Sequence, residues 1–196
     1  VLDDGSSDLK IGRFVAIKGA GGASNLAAYS DTGDSFFGTT LPESATWIDI
    51  AANNSGQFVA IASDSTTVAI SNDGITWDIT GTLNNTGMLG IAYGKGKYVT
   101  FRDNGSVTDA VEYSTDGGVT WTQTDFETDI NPTAIAYGNN TFVVVGASNT
   151  CQVSDDGITW TETTLPATET YQDIAFGNNR FIVIASTNNA GAYSID

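Results

Sequence analysis

Asp49 and Asp173 stand at matching places in a repeated pattern, Asp49-Ile50-Ala51 and Asp173-Ile174-Ala175, and a pair of carboxylates is what a glycoside hydrolase needs. Equivalent positions on repeated strands also serve as structural ligands, and that is the favoured reading of both. Asp31, Asp34, Asp155 and Asp156 carry the hard oxygen donors that Ca2+ prefers. Each of their turns supplies only two or three carboxylates and no recognised binding loop, so turn capping is favoured over Ca2+. The chain has no histidine and a single cysteine, Cys151. Nucleophile pairs of the Ser–His and Cys–His type and His/Cys zinc sites are thereby excluded. Cys151 falls in a predicted strand, where a thiol behaves as a small apolar side chain. The residue inventory therefore predicts no catalytic residues, no metal and no cofactor.

Charge narrows the partners. Seven Lys and Arg stand against 23 Asp and Glu, a net charge of −16. Nucleic acid requires a basic stripe, which is absent, and anionic membrane surfaces are disfavoured on the same ground. No apolar run reaches the roughly 18 residues that span a bilayer, so no membrane insertion is expected. The sequence begins at Val1, which suggests a processed protein or a domain taken from a longer polypeptide or assembly. The 22 Gly, three Pro and many Thr, Asn, Ser and Asp between short apolar runs suit strands joined by tight turns.

Those strands recur. Ile50-Ala51-Ala52-Asn53, Ile91-Ala92-Tyr93-Gly94, Ile135-Ala136-Tyr137-Gly138 and Ile174-Ala175-Phe176-Gly177 are each followed by a second run: Gln57 to Ile61, Lys97 to Phe101, Thr141 to Val145 and Arg180 to Ile184. A shortened copy, Leu9 to Gly12 and then Arg13 to Ile17, opens the chain. The spacing of about 40 residues between Phe14, Phe58, Tyr98, Phe142 and Phe181 is that of four-stranded propeller blades. In each repeat, strand A (Ile-Ala-Tyr/Phe) turns tightly into strand B, whose continuous apolar run predicts burial on both faces. A variable loop leads to strand C, and a second tight turn to strand D. Nothing has helical period. The resulting expectation is an all-β fold, a β-propeller of about five four-stranded antiparallel blades in one domain over 1–196. Its repeats lie near 8–46, 47–87, 88–131, 132–170 and 171–196, and Val1 to Ser7 are a candidate closing strand for the last blade.

The turn between strands C and D reads Ser71-Asn72-Asp73-Gly74-Ile75-Thr76-Trp77, Ser114-Thr115-Asp116-Gly117-Gly118-Val119-Thr120-Trp121 and Ser154-Asp155-Asp156-Gly157-Ile158-Thr159-Trp160. Asp accepts hydrogen bonds from its own turn, Gly supplies the left-handed residue, and the aromatic fills space between blades. These segments resemble the Asp-box (BNR) repeat, Ser-x-Asp-x-Gly-x-Thr-Trp, of sialidase-like β-propellers. The turn at 114–121 has the full spacing, those at 71 and 154 lack one residue between Asp and Gly, and Ser30-Asp31-Thr32-Gly33-Asp34-Ser35-Phe36 carries Phe for Trp. The resemblance implies structural roles for Asp73, Gly74, Trp77, Asp116, Gly118, Trp121, Asp156, Gly157 and Trp160, remote from any active site. The sialidase activity of that family needs three converging arginines. Here Arg13 and Arg180 belong to A–B hairpins and Arg102 follows a strand B at the opposite end, so they should not meet. The repeats are also similar to modules of phage tail and virion-surface proteins and of secreted bacterial proteins, which implies an extracellular or virion-surface setting.

The best place for a ligand is the face opposite those turns, where strand A begins. Trp47, Met88, Pro132 and Tyr171 occupy its equivalent positions, with Asp49 and Asp173 close behind and Arg102 opening the longest B–C loop. Trp47 and Tyr171 would stack on a sugar or a partner side chain; plugging of the channel mouth by apolar side chains is the equal alternative. The functional expectation is a non-catalytic binding or structural module that engages glycan or protein. The alternatives are a lectin with several sugar sites and a carboxylate glycoside hydrolase.

Overall fold

The computed structural model describes residues 12–19, 22–167, 169–186 and 191–194, and every regular element among them is a β-strand. The strands make five antiparallel sheets in sequence order. The first contains β1 (Phe14–Ile17), β2 (Ser24–Ser30) and β3 (Phe37–Ala45). The second contains β4 (Trp47–Ala52), β5 (Phe58–Ala62), β6 (Thr67–Ser71) and β7 (Asp78–Thr82). The third is β8 (Met88–Gly94), β9 (Lys97–Arg102), β10 (Val111–Ser114) and β11 (Thr122–Thr124). The fourth is β12 (Pro132–Gly138), β13 (Thr141–Gly146), β14 (Thr150–Ser154) and β15 (Thr161–Thr164). The fifth is β16 (Tyr171–Gly177), β17 (Arg180–Ala185) and β18 (Gly191–Tyr193). The middle three sheets thus have four strands each. Among the described residues the first sheet lacks a strand A and the last a strand D. Leu9 to Ile11 and the candidate closing segment Val1 to Ser7 lie outside the described residues, and Gly12 is not in a strand.

Turn chemistry fixes the hairpins. Lys95-Gly96, Asn139-Asn140 and Asn178-Asn179 have φ of 47° and 76°, 46° and 62°, and 48° and 61°. Two consecutive left-handed residues form the two-residue turn whose twist matches paired strands.

The sheets pack face to face through four seams, because a blade with two apolar faces cannot bury either alone. Strand B alternates its residues between neighbours. Phe58 and Ala60 join Trp77 against Val15 and Ile17 of the first sheet, while Val59 and Ile61 face Tyr98 and Trp121 of the third. Val99, Phe101 and Val111 meet Phe142, Val144 and Trp160 in the next seam, and Val143, Val145 and Cys151 meet Ile174 and Val183 in the last. Gly94 and Gly138 permit close approach: a Cβ there would lie 2.3 Å and 2.0 Å from the rings of Tyr137 and Phe176 in the following sheet.

No fifth seam joins the last sheet to the first among the described residues. Phe14, Leu26 and Phe36 on the first sheet are 52%, 55% and 52% exposed, and Ile182, Ile184 and Tyr193 on the last are 51%, 54% and 61% exposed. Phe36, placed by its sequence pattern between blades, is open because no described sheet precedes it. A Cβ at Gly177, the counterpart of Gly94 and Gly138, would meet nothing within 4 Å. Among the described residues, the row of five sheets has two open apolar ends.

Candidate functional site

The C–D turns are built by their own side chains. Ser71 Oγ accepts from Gly74 N at 2.7 Å, and Asp73 Oδ1 accepts from Ile75 N and Thr76 N, both at 2.8 Å. Asp156 repeats this with Ile158 N and Thr159 N, and Asp116 with Val119 N and Thr120 N. Burial of the turn pushes each carboxyl up, but the hydrogen bonds outweigh it. Asp73 is pulled down to about 2, and Asp116 and Asp156 also lie below the usual carboxylate range. A carboxyl whose folded value lies below its unfolded value of about 4 adds stability above that pH, and loses it as pH falls through the folded value. Replacing all three aspartates by Asn should therefore lower the thermal midpoint at neutral pH by several degrees, at about 1 kcal/mol per turn. The gap to the wild-type chain should narrow as pH falls from about 5 toward 2. Circular-dichroism melts across that range check it, and a gap independent of pH would contradict it.

Strand A entry is not an open ligand face. Trp47, Met88 and Tyr171 are fully buried and Pro132 is buried with them. The first three fill the seams toward the preceding sheets. Trp47 Nε1 donates to Glu43 O at 3.3 Å and the Tyr171 hydroxyl to Ala167 O at 3.2 Å. The stacking role proposed for Trp47 and Tyr171 is corrected accordingly: a side chain at this position is covered by the adjoining sheet. Asp49 ties two sheets together, accepting from Ile50 N at 2.8 Å and from Ile91 N of the third sheet at 2.9 Å. Burial raises its pKa, those two bonds oppose the rise, and the charge of Asp173 adds to it. Asp173 accepts from Ile174 N at 2.8 Å. Its carboxylate lies on the last sheet, where no following strand A is described. Arg102 is spent on its own loop, donating through Nε to Asp109 O at 3.1 Å. Arg13 pairs with Asp31 at 2.7 Å, and Arg180 lies over the ring of Tyr193.

Sequence reasoning missed a buried polar pair. Glu112 on β10 and Gln152 on β14 occupy one repeat position, two residues before the turn serine, and both are fully buried. Glu112 accepts from Asn84 N (2.9 Å), Asn84 Nδ2 (3.1 Å) and Asn85 Nδ2 (2.9 Å). Gln152 accepts from Glu127 N and donates to Thr128 O. Each clamps the connection that enters its own sheet. The signal in the sequence was a charged residue inside Val111-Glu112-Tyr113.

A cavity of about 530 Å3 lies between the fourth and fifth sheets, walled by Val143, Val145, Cys151, Val153, Phe181 and Val183. Burial, and next the charge of Glu162, push the Cys151 thiol up to about 11. Among the described residues no group of three His, Cys, Asp or Glu could hold a metal ion.

Rows of four-stranded antiparallel sheets packed face to face recur in solved structures. A streptogramin B lyase superposes with a TM-score of 0.68 at 15% identity over 86% of this chain and 61% of its own. A GH74 enzyme of Niastella koreensis gives 0.62 at 17% identity, over 89% of this chain and 27% of its own. YCF48 bound to D1 peptide gives 0.60 at 13% identity, over 84% and 55%. These are β-propeller proteins. The fold is a β-propeller. At such identities the likeness shows the fold alone, and this propeller chain spans only about three fifths of the lyase it matches. The group includes enzymes and a peptide complex, so it does not choose between catalysis and binding. No protein-family model matches the sequence, and no curated protein resembles it in sequence.

Proposed function

We propose that this propeller is a non-catalytic binding and structural module, built on Asp-box repeats as one domain, that engages protein through its open sheet ends. The observation that carries the reading is the pair of apolar faces that have no partner among the described residues. Exposed apolar patches of this kind mark interaction surfaces, and these two match the halves of every internal seam. Phe14 and Phe36 stand where Phe58 and Trp77 stand in the second sheet. Ile182 and Tyr193, a cross-strand pair, stand where Val143 and Val153 stand in the fourth. The natural occupant is another propeller sheet carrying the opposite half, for which a second copy of the chain serves. The catalytic alternative would need Asp49 released from Ile50 and Ile91, and the glycan alternative loses its platform with Trp47 and Tyr171 buried. The acidic surface argues for a protein partner and against nucleic acid. The setting that fits the repeat type is a virion appendage or a secreted surface protein.

Sedimentation velocity over rising concentration, in salt sufficient to screen the charge of −16, tests this. The wild-type chain should associate, and Ile182→Asp should remain monomeric while melting normally. A wild-type monomer throughout, or sugar binding on a glycan array, would overturn it.

A further inference from the structure

The longest B–C loop, between β9 and β10, carries a reactive dipeptide. Asn104-Gly105 is the only Asn-Gly pair in the chain, and both residues are exposed. An asparagine side chain can be attacked at its amide carbon by the backbone nitrogen of the residue that follows. A Cβ on that residue obstructs the approach, and glycine has none. Gly105 has φ of 67°, and a Cβ there would meet nothing within 4 Å, so no neighbouring element covers it. Among the described residues the nearest rival is Asn54, which precedes Ser55; Asn139 and Asn178 precede another asparagine.

Hydrogen bonds within the loop reach each group that must react. Gly105 N donates to Asp103 Oδ1 at 3.0 Å, so the proton of the nucleophile has a carboxylate to accept it. Asn104 Oδ1 accepts from Ser106 N at 3.1 Å, at the oxygen on which negative charge develops during the attack. Asn104 Nδ2, the leaving nitrogen, donates to Thr108 O at 3.0 Å. The Asp-Gly pairs of the C–D turns are held in the opposite state. They could close the same ring only by losing water from a protonated carboxyl. Asp73, Asp116 and Asp156 each accept from two backbone N–H groups and lie below the usual carboxylate range, so they stay ionised.

We infer that Asn104-Gly105 is a self-modification site, at which the loop deamidates without an enzyme and loosens. Gly105 N bonds to Asn104 Cγ, and its proton, accepted by Asp103 Oδ1, ends on the departing nitrogen. The Cγ–Nδ2 bond breaks, ammonia leaves, and a succinimide ring remains. Water opens that ring at either carbonyl, giving aspartate or isoaspartate at position 104. The conversion removes the donor to Thr108 O and sets a new carboxylate beside Asp103. The far end of the loop stays tied, by Arg102 Nε on Asp109 O at 3.1 Å and Asp109 N on Asp125 Oδ1 at 2.8 Å. The modified loop is therefore released at its Asn104 end alone. It lies at the rim opposite the C–D turns, and the inference is independent of the two sheet ends.

The test incubates the whole chain at mildly alkaline pH and follows it by peptide mapping with mass spectrometry. A free peptide, Arg-Asp-Asn-Gly-Ser-Val-Thr, with the sequence of residues 102–108, is treated alongside. The mass gain of the amide-to-acid exchange should appear first at position 104, divided between aspartate and isoaspartate, at a rate that rises with pH. Gly105→Ala should slow it at least about tenfold, because the added Cβ displaces the nucleophile from its attack position. The converted chain should be cut severalfold faster than fresh chain between Asp103 and Ala110 by a protease of broad specificity, with its thermal midpoint unmoved. Conversion of Asn54 or another asparagine ahead of Asn104, or an unchanged rate in Gly105→Ala, would overturn the inference. So would an inert Asn104 in the whole chain while the free peptide converts, or equal cleavage of fresh and converted chain.

Discussion

Trp160→Ala is expected to destabilise the propeller by about 3–5 kcal/mol, as truncation of a buried aromatic does when its surroundings relax only in part. Its ring makes an edge contact with Phe126 at 5.3 Å and a tilted one with Phe142 at 6.5 Å, and it is a member of the seam between the third and fourth sheets. Removal opens a cavity there of the kind the last seam already contains. Urea denaturation should show a lower midpoint with little change in slope if unfolding stays cooperative. A conservative pair of variants adds a sharper comparison. Trp121 Nε1 donates to Gly118 O at 2.9 Å, whereas Trp160 Nε1 is buried with no partner. Trp121→Phe strands a carbonyl and Trp160→Phe removes an orphan donor, so the first should cost more by about 1 kcal/mol. Equal losses would mean that ring volume alone sets the cost.

The second large effect is expected at Glu112. Its carboxylate gathers three donors from Asn84 and Asn85 and pins the connection between β7 and β8. Glu112→Ala leaves Asn84 N and Asn85 Nδ2 without this acceptor, while Asn84 Nδ2 keeps Trp121 O, at a cost of about 2–3 kcal/mol. Glu112→Gln is the informative partner, because Gln152 fills the same repeat position natively. There Nε2 faces an acceptor, Thr128 O, but at position 112 a side-chain amide would face donors only. Gln should therefore recover less than half of the loss. Full recovery would show that shape, and not acceptor chemistry, holds the connection.

Much of this was legible from residue order. The run Phe58-Val59-Ala60-Ile61 has no polar alternation because a sheet covers each side of it, and all four side chains are buried. The same pattern at Phe14 to Ile17 has one open face, since nothing in a strand's own residues records whether a neighbour precedes it. Trp47 was ambiguous for a different reason. An aromatic at the start of a strand suits a binding platform or a seam filler equally, and only the position of the preceding sheet decides. The partners of Glu112 lie 28 and 27 residues earlier in sequence, a pairing that exists only once the sheets have stacked.

The most direct measurement addresses the two open faces. Within the chain, Val15 and Phe58 approach across the first seam closely enough that a Cβ on Gly74 would touch both, at 2.7 Å and 3.2 Å. Their counterparts on the free ends are Ile182 and Phe14. On a Cys151→Ala background, Phe14→Cys and Ile182→Cys chains are mixed under mild oxidation and separated by non-reducing electrophoresis. The account predicts a disulfide-linked dimer that forms much faster in the mixture than in either variant alone. Equal crosslinking of all combinations, no crosslinking, or a crosslink closing within a single chain carrying both cysteines would contradict it.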